Sequence, residues 1–155
     1  MNPPADPSAA VTRRARSLAR RLVLQALYQL QINPRPWQDL HQDFVADPEA
    51  AKVDRDYFRE LLMGVAGRRE ALDETIGRHG QIAPQDLDPV EHAILWLGLQ
   101  ELEVHPELPY RVAIAEAVQL ARQFGATDSH KYVNAVLDRA ARELRALEYG
   151  RTRDA

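Results

Sequence analysis

The sequence predicts an all-α fold of about six or seven helices, and three observations predict it. Apolar residues recur at helical spacing over most of the chain, and proline and glycine fall where the periodic stretches begin and end. Val, Ile and Thr nowhere gather into an alternating run. Helices that are apolar along one stripe must bury it against one another, so the elements are expected to pack as a bundle.

Residues 1–10 hold three prolines and no apolar period, and are expected to form a disordered tail. The first helix then runs from Ser8 or Thr12 to Ile32, with Ala15, Ala19, Leu22, Ala26 and Leu30 toward the core. Arg13, Arg16 and Arg20 stack on one side of it. Asn33-Pro34-Arg35-Pro36 must end it, because proline disfavours helical geometry in the residue before it. A short second helix is anchored by Trp37, Leu40 and Phe44.

A third helix is expected from Asp54 to His79, with Phe58, Leu61, Leu62, Val65, Leu72 and Ile76 as its stripe and Gly80 as its stop. Gly64, Gly67 and Gly77 each weaken it by up to about 1 kcal/mol relative to alanine, and at least one is expected to mark a close helix crossing. Asp88-Pro89-Val90-Glu91 starts the next helix with a capping aspartate, proline at the first position and an acid three residues after the cap. The following AILWLGLQEL is apolar on more than one side. It is either sandwiched between packed groups or offers an apolar strip to a partner.

Two helices around one turn close the chain. Pro109 suits the first helical position, and Gly125 is expected to supply a left-handed stop. Thr127 or Asp128 caps the last helix. One helix presents Ala113, Ala117, Leu120 and Phe124, the other Val133, Val136, Leu137, Ala140, Leu144 and Leu147. The polar ATDSHKY joint sits at a helix start, where unpaired N–H groups can receive an anion.

A chain of 155 residues fits one domain, or two small subdomains sharing a core. No apolar run is long enough to cross a bilayer and none reads as a signal peptide, so no membrane partner and a cytoplasmic location are expected. The absence of cysteine excludes disulfides, thiolate catalysis and Cys-ligated zinc. A net charge of −3 argues against strong autonomous binding to nucleic acid. The charge is unevenly spread: Arg13, Arg14, Arg16, Arg20 and Arg21 crowd the start, whereas acids dominate from Asp39 to Glu60. A basic face on an acidic body is the expectation.

Catalysis finds no support. Asp128-Ser129-His130 has the letters of a hydrolytic triad, but neighbouring helical residues point about 100° apart and cannot chain by hydrogen bonds. The five histidines are scattered without an HExxH pairing, and no glycine-rich loop follows a strand. No metal, no cofactor and no enzymatic activity are therefore expected.

Four blocks in order, ARRLVLQALYQLQ, RDYFRELLMGV, LDPVEHAILWLGLQEL and VAIAEAVQLARQFGATDSHKYVNAVLDRAA, closely resemble the transcription antitermination factor NusB family, over roughly residues 13 to 145. The resemblance implies two small helical bundles sharing a core within a single RNA-binding domain, residues 11–148, followed by a C-terminal tail, 149–155. It implies binding to the boxA element of nascent ribosomal RNA transcripts, jointly with the ribosomal protein NusE. The resulting antitermination complex includes RNA polymerase and other Nus factors. Arg13, Arg14, Arg16 and Arg20, with Ser129, Lys131 and Tyr132 of the joint, are the RNA-binding candidates that it implies. Asp128 repels phosphate and is cast as the cap that shapes the turn, or as an acceptor from a base amino group.

Physically, Lys131 can pair with phosphate, Tyr132 can stack on a base, and Ser129 can bond sugar or phosphate. The bland alternatives are a solvated arginine face and a half-buried core tyrosine. Tyr28 and Glu91 read locally as a core aromatic and a capping acid; the resemblance makes them NusE contacts, with the apolar helix from Val90 to Leu102 as the interface. An acidic surface would thereby recruit a basic partner that adds phosphate contacts.

Departures from the family pattern are Ala115, Ala135 and Tyr132, where Asn, Gly and Phe are usual. Trp96 and His92 lie in a helix that often carries Arg, which moves the expected RNA surface to the first helix and the joint. Two other functions stay open, a protein-only helical scaffold and a regulatory domain of an RNA methyltransferase; the lack of a cofactor-binding segment in these residues disfavours the second. Relatives occur as monomers and as dimers, so a homodimer is also left open.

Overall fold

The computed structural model describes residues 7–154, and among them it contains eight α-helices and no strand. These are α1 (Pro7–Ile32), α2 (Trp37–Val45), α3 (Arg55–Ala66), α4 (Arg69–His79), α5 (Pro89–Val104), α6 (Tyr110–Phe124), α7 (Ser129–Leu144) and α8 (Ala146–Asp154), with short 3₁₀ turns at Pro48–Lys52 and Pro84–Asp86. The chain divides into two compact units, one ending at Met63 and the other beginning at Gly64.

In the first unit, α1 starts at Pro7, beside the earlier of the two expected starts. Residues 7–10 of the expected tail are helical, and the Thr12 hydroxyl donates back to the Ser8 carbonyl at 2.9 Å. Alanines at 9 and 10 are strong helix formers that no hydrophobic pattern reveals. The rest of the expected tail, residues 1–6, lies outside the described residues. Ala19, Val23, Leu24, Ala26, Leu27 and Leu30 are buried, a wider face than the predicted stripe, while Ala15 and Leu22 are only half-buried. The side chain of α2 that is fully buried is Leu40. Buried Phe58 lies against the rings of His41 and Phe44, at centroid separations of 5.6 and 6.0 Å. Asp54 caps α3 by accepting from the Tyr57 N–H at 3.0 Å, and its own N–H donates to the Ala15 carbonyl at 3.2 Å.

The expected long third helix is broken. Arg68, at φ −131° and ψ 19°, leaves helical geometry between α3 and α4. Gly67 makes the break inexpensive, and the Arg68 guanidinium is held from α5, by the Gln100 side-chain carbonyl at 2.6 Å and by Glu103 at 2.8 Å. Gly64 is the close crossing: a Cβ there would press into the buried Gln100 amide.

Helix α5 is the centre of the second unit. It packs against α4, α6 and α7, and every residue from Ala93 to Leu102 is buried. Of the two readings open for this apolar segment, it is the sandwiched one. Its start is as expected, with the Asp88 carboxylate accepting from the N–H groups of Val90 (2.9 Å) and Glu91 (3.2 Å). Its end is held by a residue 40 positions away: buried Arg145 donates to the carbonyls of Glu101 (3.3 Å), Leu102 (2.6 Å) and His105 (2.8 Å). A helix leaves its last carbonyls unpaired, and a guanidinium presents several donors in one plane.

Arg145 also breaks the final helix, at φ −128° and ψ 42°. Leu147 therefore falls in α8 and is 79% exposed instead of continuing the α7 stripe. The expected C-terminal tail is helical as far as Asp154, and the Tyr149 hydroxyl meets Asp138 at 3.2 Å. Pro109 stands one position earlier than expected, as the cap residue of α6.

Candidate nucleic-acid interface

The arginine cluster lies in the first unit and separates by burial. Arg13 and Arg14 are exposed and make no ion pair among the described residues. Arg16 and Arg20, one helical turn apart, both turn onto the face of Tyr57, with guanidinium carbons 4.7 and 5.4 Å from its centroid. Arg20 is only 2% exposed, and the Arg16 Nε lies 3.7 Å from Asp54. Cations stacked on a ring and partly desolvated are anchored to it. The three arginines expected on one side thus divide into a free one, Arg13, and two that pack under the helix.

The joint lies in the second unit. Gly125 does not adopt the expected left-handed geometry; at φ −86° and ψ 171° it is extended. Its missing Cβ matters for space, since a Cβ would sit 2.7 Å from the Ala121 carbonyl oxygen and 3.1 Å from Ser129. The left-handed residue is Asp128, at φ 68° and ψ 0°. That corrects its predicted role. It occupies the cap position but its side chain accepts no N–H from α7, because capping requires an extended backbone that directs the carboxylate over the first turn. The carboxylate instead meets the Lys131 ammonium at 3.3 Å, where both side chains are largely exposed.

Ser129 is buried, and its hydroxyl donates to the Glu91 carboxylate at 2.5 Å. The structure thereby joins a predicted RNA contact to a predicted protein contact. Tyr132 is half-buried, and its hydroxyl accepts from the Ile82 N–H at 3.0 Å, close above Gly80. A phenylalanine could not make that bond. Ile82, Asp88, Glu91, Thr127, Ser129 and Tyr132 line a depression of about 260 Å³. With Asp88, Glu91 and Asp128 around it, this surface is acidic except for Lys131.

Tyr28 is 40% exposed on α1, so it is no core aromatic, and Glu91 is half-buried on the first turn of α5. The remainder of α5 offers no apolar strip, which overturns the expectation of a protein interface along Val90–Leu102. The departures His92 and Trp96 also have an internal cause. Both nitrogens converge on one Asp73 oxygen of α4, His92 Nε2 at 2.6 Å and Trp96 Nε1 at 2.8 Å. Tyr57, Asp73 and Arg145 escaped the sequence reading because each is defined by partners on other helices, and no local spacing marks them. Among the described residues, no group of three His, Asp or Glu side chains is placed to hold a metal ion, and no helix is long and apolar enough to cross a membrane.

Comparison with known proteins agrees with this architecture. The sequence model of the NusB family matches residues 17–142. A protein of Alcanivorax borkumensis called transcription antitermination protein NusB is 47% identical over 148 residues, covering 96% of this chain and 95% of its own length. One of the same name from Teredinibacter turnerae is 46% identical, covering 92% and 98%. Among solved structures, NusB of T. maritima superposes with a TM-score of 0.71 at 28% identity, over 82% of this chain and 90% of its own. A crystal structure of antitermination factors NusB and NusE in complex with dsRNA shares the fold, with a TM-score of 0.73 at 22% identity over 84% and 98%.

Proposed function

The chain belongs to the NusB family, and from that premise we propose that it is a transcription antitermination factor. It binds the boxA element of nascent ribosomal RNA together with the ribosomal protein NusE, inside a complex with RNA polymerase and other Nus factors. It acts in the cytoplasm and catalyses nothing. The observation that carries the reading is the near full-length match to proteins named for antitermination. Residues 11–148 are the functional domain.

Within it, Arg13, Arg14 and Lys131 are the direct phosphate contacts, being the exposed cations of the candidate set. Arg16 and Arg20 hold the arginine face in shape through Tyr57. Tyr132 offers a ring edge to a base while its hydroxyl fixes the 80–82 loop. Ser129 orients Glu91, which with Tyr28 holds the basic partner. A chain of net charge −3 needs such help, since the partner brings phosphate contacts that these few cations do not supply.

The test is fluorescence anisotropy of a labelled boxA RNA, titrated with the chain alone and with NusE. Weak binding alone, tightening with partner, is the expected result. If NusE changes nothing and a scrambled RNA binds equally well, the antitermination reading falls and a protein-only scaffold replaces it.

A further inference from the structure

A groove runs along a second face of α1. Arg14, Leu18, Arg21, Leu22 and Gln25 recur at helical spacing and form one wall. The opposite wall is Phe44 with the segment around the 3₁₀ turn Pro48–Lys52, and the space between them is about 420 Å³, all within the first unit. That is the size of a small-molecule site, not of a packing defect. Leu18, Leu22, Phe44 and Val53 line it and are only half-buried. Its rim carries charges of both signs, Arg14, Arg21 and Lys52 against Asp47 and Glu49. Asp47 has a structural task, since its carboxylate accepts from the Glu49 N–H at 3.0 Å and holds the turn. Glu49 is exposed beside the groove.

A nucleotide needs these three surfaces together. Its base wants apolar faces and an aromatic edge. The amino group of adenine or cytosine wants a carboxylate acceptor, and its phosphate wants a guanidinium or ammonium. A purely apolar segment would desolvate the charged rim without pairing it. We propose that the groove between α1 and the Pro48–Lys52 turn seats one unstacked base of the bound RNA, beside Phe44, with the adjoining phosphate at Arg14. The inference rests on the RNA-binding reading above and adds a base-reading site that the charge pattern of α1 alone does not contain.

The experiment uses the full chain with NusE and boxA RNA carrying single 4-thiouridine substitutions. Irradiation should crosslink one position to the peptide that contains Phe44 and residues 47–53. Ala51 is exposed in the groove wall, so Ala51→Trp should fill the space without entering the core and weaken RNA binding by about 5- to 150-fold, the range for losing one stacked base. If the wild-type complex binds boxA, crosslinks only elsewhere and is matched in affinity by Ala51→Trp, the groove proposal is overturned while the function stands. If the wild-type complex binds no boxA RNA, the functional reading fails and the groove proposal fails with it. Because the crosslink is read on the wild-type chain, the result does not depend on how the variant folds.

Discussion

Replacing the arginines of α1 one at a time should separate those that touch RNA from those that shape the helix. Three cations of the candidate set are exposed and within reach of phosphate, Arg13, Arg14 and Lys131, the last from its exposed pair with Asp128, whereas Arg16 and Arg20 are stacked on Tyr57. Each phosphate neutralised on a single strand adds about −0.7 to the slope of log affinity against log salt. Three contacts give a slope of about −2, and an affinity loss of about 20-fold between 50 and 200 mM salt; five would give about −3.5 and a loss of about 130-fold. Arg13→Gln should therefore make the slope shallower by about 0.7 without changing the melting temperature. Arg20→Gln should leave the slope alone and cost about 1–3 kcal/mol of stability, because it removes a buried cation from an aromatic face. In a chain of this size that corresponds to about 2–12 °C in melting temperature. The assays are anisotropy at four salt concentrations and thermal unfolding by circular dichroism. NusE adds its own contacts, so the comparison is between variants measured with the same partner. If Arg20→Gln flattens the slope as much as Arg13→Gln while melting at the wild-type temperature, the division of the cluster by burial is wrong.

Arg145→Ala removes the buried guanidinium that bonds the carbonyls of Glu101, Leu102 and His105 at the end of α5 and should lower stability by about 3–5 kcal/mol in urea unfolding; Arg145→Lys, with a point charge in place of a planar fork, should recover less than half of that. Asp128→Gly should keep or raise stability by about 0.5–1 kcal/mol, because glycine adopts the left-handed backbone freely and no side-chain cap is lost; a drop of about 1 kcal/mol would mean that the carboxylate caps α7 after all. His41 is held below the ordinary histidine value of 6.5, first by burial and then by the nearby Arg59 charge. The unfolded chain therefore takes up that proton first as pH falls, so this contribution to stability is complete above about pH 6.5 and is lost on acidification toward the folded pKa. Urea midpoints at pH 7.5 and 5.5 should differ less in His41→Gln than in wild type, and an NMR titration should place the His41 midpoint below 6.5.

What the sequence made legible is what local chemistry controls. The start of α5 is stated in four consecutive letters, Asp88 to Glu91, and the end of α1 in the prolines at 34 and 36. Those signals act through backbone geometry within one turn, so they do not depend on what packs nearby. Where two distant groups decide the outcome, spacing was silent. Arg16 and Arg20 read as an outward stripe, open to RNA or to solvent, because helical periodicity assigns them a direction, but only Tyr57, on α3, determines that this direction points at a ring.

The joint illustrates the same limit at short range. Gly125 is the residue that ordinarily turns left-handed after a helix, yet the chain keeps it extended, where the lack of a Cβ lets Ser129 come close. The left-handed turn moves on to Asp128, and Ser129 is then aimed at Glu91. The local rule named only Gly125 for the left-handed position; Asp128 takes it instead, beside the bond from Ser129 to α5. The candidate interface is therefore set jointly by the joint and by the helix behind it. Substitutions at Glu91 should accordingly be felt at the joint as well as by the protein partner.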